Sequence, residues 1–249
     1  MADEDAQREA LLDAIENVAA RLATEKSHLT ELDSAIGDAD HGANMDRGFA
    51  AVVEEVEGVD DASVAEITKT VGVTLVSTVG GASGPLYGGS IMSASGELEE
   101  GITAETAVAF AEAYLEKVQD RGDAQVGAKT MVDALTPAVH TFKKSIEQDD
   151  LDPLEALAKA VDAAERGARF TTPIRAKKGR ASYLGWRSVG HRDPGATSTL
   201  FILETLLATA EDHLDGGVER DAVAPTTPDE TPDTDGDRVD GEGTDAEGG

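Results

Sequence analysis

The sequence contains no cysteine, a single tryptophan and few aromatics, 4% of its 249 residues. Without thiols there is no disulfide, no thiolate zinc or iron–sulfur site and no cysteine nucleophile. Bases are also scarce, 21 Lys+Arg against 50 Asp+Glu, for a formal net charge of −29. That balance argues against general binding to nucleic acid or to anionic membranes. No apolar run approaches the ~18 residues of a membrane span. The opening Met1-Ala2-Asp3-Glu4-Asp5 lacks the basic-then-apolar pattern of a signal peptide, so a soluble cytoplasmic protein is expected. The acid excess is spread along the chain: residues 219–249 hold 11 acids and 2 Arg, and the rest of the excess lies before them. Acid on every face with few lysines suits a salt-rich, halophilic cytoplasm in which self-repulsion is screened. An ordinary acidic protein with an acidic tail is the plainer alternative.

What is present is helical periodicity. Apolar residues recur at helical spacing in Leu11, Leu12, Ile15, Val18, Ala19 and Leu22, and again in Phe49, Val52, Val53 and Val56. Val64, Ile67, Val71, Leu75 and Val79 follow Ser63-Val64-Ala65-Glu66, which has capping-box spacing. Further stripes are Val108, Ala111, Leu115, Val118, then Met131, Leu135, Val139, Phe142, Ile146, then Leu154, Leu157, Val161, Ala164. Asp152-Pro153 opens the last of these with an acceptor and a proline at the first helical position. A final helix is expected from about Pro194 to Leu214. Strand-like alternation is lacking. About eight helices in one all-α domain, residues 1–215, are expected. Residues 216–249 are Gly, Pro, Thr, Asp and Glu with only Val and Ala as apolar residues. A segment so poor in apolar surface cannot offset its ordering entropy and is expected to be a disordered acidic tail.

Three segments break the helical pattern. The first, Leu32 to Asn44, places Asp33, Asp38 and Asp40 beside Gly37, His41 and Gly42. An extended loop would point Asp38 and Asp40 the same way, and Asp33 would rejoin them if a helix ended at Gly37. Close carboxylates repel unless a cation neutralises them, and hard oxygen ligands select Mg²⁺ or Ca²⁺. An EF-hand is excluded, because counting from Asp38 puts Phe49 where the twelfth-position Glu belongs. The bland reading of this segment is a capped turn with solvated acids.

The second break, Gly80-Gly81-Ala82-Ser83-Gly84-Pro85-Leu86-Tyr87-Gly88-Gly89-Ser90, exposes backbone N–H groups and suits a phosphate cradle. It is neither a P-loop, lacking Gly-Lys-Ser/Thr, nor a nucleophile elbow, since Pro85 stands where glycine is required. A tight interhelical connection would use the same glycines.

The third break runs from Lys177 to Ser198. Between Glu165 and Asp193 there is no acid, while Arg166, Arg169, Arg175, Lys177, Lys178, Arg180, Arg187 and Arg192 supply eight of the 21 bases. A cationic island in so acidic a chain implies an anionic partner, although a basic loop neutralising acidic neighbours is the simpler alternative. Asp193-Pro194 then opens a helix whose free N–H groups attract phosphate. Carboxylates, glycines and cations together fit a Mg²⁺–nucleotide site in which Arg stabilises transferring charge.

These segments resemble one family. Gly37-Asp38-Ala39-Asp40-His41-Gly42, Gly81-Ala82-Ser83-Gly84-Pro85-Leu86-Tyr87-Gly88 and Gly179-Arg180-Ala181-Ser182-Tyr183-Leu184-Gly185 with Asp193-Pro194-Gly195-Ala196-Thr197-Ser198 are similar to the nucleotide-binding L subunits of dihydroxyacetone kinases, over roughly residues 5–214. The resemblance implies an eight-helix antiparallel barrel holding ADP or ATP at one end. It implies that Asp33, Asp38 and Asp40 bind Mg²⁺, two ions being the family expectation. Nucleotide contacts are implied for His41, Gly42, Ala43, Asn44, Ala82, Ser83, Arg180, Asp193, Pro194 and Gly195, with Gly122 and Met131 lining the adenine pocket. Arg180 is the implied catalytic residue. The implied partners are a K subunit that holds dihydroxyacetone through a His, and either free ATP or a phosphohistidine M subunit of the phosphotransferase system as donor. A homodimer is left open. Trp186 departs from the family pattern, which commonly has Glu there.

A fatty-acid-kinase type nucleotide domain would share the acidic loop but lack the Gly179-to-Ala196 series. A non-catalytic ADP/Mg²⁺ sensor would share the whole site, and an acidic interaction protein would make all three breaks coincidental. Truncation at Gly216 is expected to leave folding unchanged by circular dichroism; loss of soluble protein on truncation would refute a tail without a folding role.

Overall fold

Helical periodicity, capped at polar residues and interrupted at glycines, becomes eight α-helices in the computed structural model, which describes residues 3–59, 62–214, 216 and 218. They are α1 (Glu4–Ile36), α2 (His41–Val56), α3 (Val64–Thr78), α4 (Gly89–Ala94), α5 (Ala104–Gly122), α6 (Val132–Glu147), α7 (Pro153–Phe170) and α8 (Pro194–His213). A π-helical turn, Gly84–Gly88, leads into α4, and 3₁₀ segments cover Ser95–Leu98 and Arg180–Ser188. Among the described residues there is no strand. Each α-helix packs on the next in sequence, and α8 returns to α1, closing a ring. The C-terminal ends of α1, α3, α5 and α7 and the N-terminal ends of α2, α6 and α8 meet at one end of this barrel, the antiparallel alternation expected of a bundle. All three breaks lie at that end.

The apolar stripes fill the interior: Leu22, Leu29, Met45, Val52, Ile67, Leu75, Val118 and Val132 are fully buried. A second, narrower seam joins α6, α7 and α8 through Ala134, Ala138, Ala160, Ala164, Ala168 and Ala196. Small side chains let these helices approach closely. A Cβ on Gly167 would lie 2.1 Å from the Asp133 carbonyl oxygen, and one on Gly88 would lie 2.5 Å from that of Gly72. The Ser63–Glu66 capping box forms as its spacing requires: the Ser63 N–H donates to Glu66 Oε2 at 2.9 Å, and the Glu66 N–H donates to Ser63 Oγ at 3.3 Å. A second box uses Thr103 and Thr106. Its third-position threonine is not the Glu or Gln the motif leads one to seek.

Two expectations need correcting. Asp152 precedes Pro153 at the start of α7, but its side chain makes no cap hydrogen bond. The glycine-rich second break is helical over much of its length. Gly84 and Gly88 press against α3 where any side chain would strike backbone, so here glycine serves close packing within a helix. Apart from Gly216 and Val218, the segment expected to be an acidic tail lies outside the described residues.

Gly167→Ala should destabilise the protein by roughly 1–3 kcal/mol, because the added methyl meets α6 backbone that cannot step aside. Gly96→Ala, which would meet nothing within 4 Å, should be neutral or stabilising by up to about 1 kcal/mol. Urea midpoints of the two variants check the sign reversal.

Candidate functional site

The first wall is built by the end of α1. Gly37 caps the helix, its N–H donating to the Asp33 carbonyl at 2.5 Å. A Cβ at position 37 would stand 1.9 Å from Asp33 Oδ1, so the glycine makes room for that carboxylate. The chain then reverses through Ala39, whose φ of 61° is left-handed. This is not the extended loop expected of Asp38 and Asp40; a turn, not strand alternation, brings the two together. Asp33 is buried, and its Oδ2 accepts the N–H groups of Asp40 at 2.9 Å and His41 at 3.1 Å. It thereby caps α2, where unpaired donors and the helix dipole favour an anion. One carboxylate oxygen from each of Asp33, Asp38 and Asp40 lies within 4.8 Å of the others. The nearest cation is Arg180, its Nη1 at 2.7 Å from Asp38 Oδ2. Three oxygen donors gathered so closely match a hard divalent ion in ligand type and charge.

The second wall joins α2 to the Gly-rich segment and α8. His41 is buried with Nε2 2.8 Å from Ser198 Oγ. Burial lowers its pKa, although Asp33 and Asp40 pull the other way, and this favours a neutral imidazole. Tyr87 places its hydroxyl 3.1 Å from the Gly195 carbonyl, 2.9 Å from Ser198 Oγ and 3.2 Å from Thr199 Oγ1. Burial pushes this phenol up to about 12, so it stays protonated. Asn44 Oδ1 accepts from Arg47 Nη2 at 2.6 Å, and Arg47 Nε donates to the Thr78 carbonyl at 3.2 Å. These bonds bring Asn44 beside Gly80, where an added Cβ would lie 3.3 Å from Asn44 Oδ1. Gly81 follows with φ 67° and open space on its side-chain face, a conformation that glycine adopts without strain.

The third wall is the N-terminus of α8. Asp193 Oδ2 accepts the Ala196 N–H at 2.7 Å, Pro194 opens the helix, and Gly195 abuts Met131, whose Cβ would be 3.6 Å from an added Cβ. The basic segment packs on the end of α1 through Ile36, Ala176, Ala181 and Leu184. It holds Arg180 at the acidic trio and leaves Tyr183 and Trp186 exposed, with the Arg175 guanidinium 5.3 Å from the Trp186 ring centroid.

Most residues singled out in the sequence thus share one end of the barrel. Gly42 is taken up with packing, since its Cβ would lie 2.2 Å from the Lys26 carbonyl of α1. Gly122 faces Leu86, with 3.4 Å from an added Cβ to Leu86 Cδ2, and no direct tie to the trio is found. Ala82 is exposed and Ala43 half-buried. Sequence reading missed Lys129, Asp133 and Thr171, all buried beneath the basic segment. A lone lysine or threonine has no motif, and Asp133 sits within a stripe read for its apolar members.

Burial pushes the Asp193 carboxyl up to about 7; the Ala196 N–H and Lys129 oppose the rise, while Asp133 and Asp33 add to it. The native state therefore holds a proton that the unfolded chain, with its ordinary value near 3.9, has already lost. Asp193's contribution to stability falls as pH rises from about 4 to about 7 and is fully lost above that. Asp193→Asn keeps the acceptor for Ala196 and removes the titration. In EDTA, the variant's Tm should gain on the wild type between about pH 4 and about pH 7 and then hold level; a Tm difference flat across that window would contradict this.

The DAK2 domain family matches residues 35–208. The Escherichia coli protein named PEP-dependent dihydroxyacetone kinase, ADP-binding subunit DhaL, is 44% identical over 191 residues, covering 76% of this chain and 90% of its own. A Lactococcus lactis protein named PTS-dependent dihydroxyacetone kinase, ADP-binding subunit DhaL, is 43% identical over 182 residues, covering 73% and 87%. Among solved structures, the dihydroxyacetone kinase from C. freundii in complex with AMP-PNP and Mg²⁺ aligns with a TM-score of 0.60 at 26% identity. That alignment takes in 80% of this chain but 33% of the solved one, so this chain spans a third of that protein's length. With the domain match running from Ala35 through the Gly-rich segment to α8, and near-full-length subunits at these identities, the chain belongs to the DAK2-domain family of dihydroxyacetone kinase DhaL subunits.

Proposed function

We propose that this chain is the nucleotide-binding, phosphoryl-transferring subunit of a dihydroxyacetone kinase. The observation that carries the reading is the trio Asp33, Asp38 and Asp40, with oxygens within 4.8 Å of one another at the N-terminus of α2 and beside Arg180. Three carboxylates beside one guanidinium leave negative charge for a cation to offset, and Mg²⁺ is the divalent ion suited to both carboxylate and phosphate oxygens. Asp33, Asp38 and Asp40 would hold Mg²⁺, two ions in this reading. Bound there, the metal would supply charge neutralisation for the phosphate oxygens.

The chain's own groups do the rest. His41, held neutral and fixed by Ser198, and Asn44, fixed by Arg47, present rigid polar atoms to the phosphates. Ala82 and Ser83 offer backbone N–H groups at the start of the π-helical turn. Asp193, Pro194 and Gly195 form a helix N-terminus aimed at the same end, Tyr87 keeping Gly195 in place. Gly122 and Met131 line the purine side. Arg180 is the catalytic residue: its exposed guanidinium exchanges Asp38 for the transferring phosphoryl oxygens as charge develops there.

The acceptor, dihydroxyacetone, is held by a separate K subunit in the cytoplasm. ADP stays on this chain as a coenzyme and is rephosphorylated in place by a phosphohistidine M subunit. What supports this donor over free ATP is that the similar E. coli and L. lactis proteins are named as ADP-binding subunits of PEP- and PTS-dependent kinases.

Mass spectrometry of the gently purified protein should find ADP, and EDTA should release it. Asp38→Asn or Asp40→Asn should weaken ADP retention by about tenfold or more, with helical circular dichroism unchanged. Variants that still co-purify with ADP and still pass phosphate to a K subunit would sink the metal assignment.

A further inference from the structure

Lys129 is 1% exposed, the largest fully buried side chain among the described residues. Its ammonium donates to the carbonyl oxygens of Thr171 at 2.6 Å, Ile174 at 3.4 Å and His191. Three donors therefore meet three acceptors. Thr171 caps the C-terminus of α7, where the helix dipole favours a cation. His191 lies on the far side of the basic segment. The same neck is closed by the Gly190 N–H donating to the Thr172 carbonyl at 2.8 Å. Thr171 Oγ1 then accepts the Asp193 N–H at 3.0 Å, tying the neck to the first residues of α8.

The lysine's own segment is attached to the same loop at other points. The Lys177 N–H donates to the Ala128 carbonyl at 2.9 Å, and Lys178 Nζ lies 2.5 Å from Asp123 Oδ2. Asp133 stiffens this segment, accepting the N–H groups of Gly127 at 2.5 Å and Thr130 at 2.9 Å. Burying an ammonium is costly unless its surroundings compensate, and Lys129 also has a φ of 63°, uncommon for a residue with a side chain. Two local costs at one residue are tolerated where the surroundings over-determine the position, which is characteristic of functional sites.

We infer that Lys129 is a positioning residue that locks the 122–131 segment and the 171–195 segment into one ligand-binding unit. The first carries Gly122 and Met131, the second Arg180 and Asp193 to Gly195. The inference rests on the nucleotide reading above, because only then do the two segments grip opposite ends of one molecule. Through Lys129, ordering of the purine side orders the neck of the phosphate side, and Arg180 is delivered to the acidic trio already aligned.

The test uses the full chain, ADP with Mg²⁺ as ligand, and Trp186, the single tryptophan, as reporter of the basic segment. Lys129→Met and Lys129→Ala should keep native circular dichroism, bind ADP at least about tenfold more weakly and lower the fluorescence anisotropy of Trp186. In the Ala variant, n-propylammonium, which replaces the deleted atoms, should restore affinity where equimolar sodium chloride does not. Wild-type affinity and anisotropy in both variants, or no rescue by the amine, would overturn the inference while leaving the nucleotide reading intact. Failure of the wild type itself to bind ADP would remove that reading and this inference with it. Should the variants not fold, hydrogen exchange of the wild type decides: ADP with Mg²⁺ must slow residues 125–131 and 172–192 by the same factor, and unequal factors refute the coupling.

Discussion

Asp33 sets the terms for the rest of the site. It is the buried member of the acidic trio, fixed by two backbone N–H groups at the start of α2, and so it cannot swing away from Asp38 and Asp40. Mutual repulsion among three carboxylates normally spreads them into solvent. Here the helix end that holds one and the left-handed turn at Ala39 that presents the other two keep them together. Such an arrangement is tolerable when positive charge is supplied. The α2 dipole supplies part of it and the Arg180 guanidinium another part. What is left over is a standing demand for a cation, built into the backbone geometry before any ligand arrives.

The ring of helices places that local constraint among three converging walls. Close approach at Gly42, Gly72, Gly88 and Gly167 draws the helices together without side chains between them. Their ends then converge, and side-chain bonds between elements fix the walls: His41 to Ser198, Tyr87 to Gly195, and Arg47 to the Thr78 carbonyl. His41 and Tyr87 stay neutral because burial disfavours their charged forms, so they hold position without adding a second layer of charge. Scaffolding by neutral hydrogen bonds leaves the electrostatics of the site to the acidic trio and the basic segment.

The helices were legible because their stripes repeat at helical spacing, and the Ser63–Glu66 box marked one start to the residue. The acidic trio was legible as a cluster, since Asp33 lies one helical turn before Gly37 and a helix ending there returns it to Asp38. Its mechanism was not legible. Ala39 carries no signal for a left-handed turn, and alternation along a strand was the natural reading of Asp38 and Asp40. The Gly84–Gly88 turn is not legible as helix in the sequence, since glycine is a weak helix former; tertiary crowding against α3 overrides that preference. Lys129 shows the limit most clearly. Its partners are carbonyl groups 42, 45 and 62 residues away, and a backbone carbonyl has no side-chain identity to betray the pairing.

The distribution of charge follows from the same geometry. A chain with 50 acids and 21 bases repels phosphate over most of its surface. In the proposed function a nucleotide approaching the barrel meets a concentration of positive charge at one end, where eight bases without an intervening acid line the segment from Arg166 to Arg192. Repulsion elsewhere and attraction there act together on the approach, and both weaken as salt shortens their range. Inside the site, separation falls to a few ångströms, where screening by salt is slight. In the proposed function the long-range field selects which end of the barrel a nucleotide reaches, and the buried hydrogen bonds of Asp33, His41 and Lys129 would decide how it is held. Because those bonds exist only in the folded chain, a ligand that needs them binds the folded state and not the unfolded one, and at free concentration c it stabilises the fold by RT ln(1 + c/Kd), a gain that keeps growing after the site is nearly full.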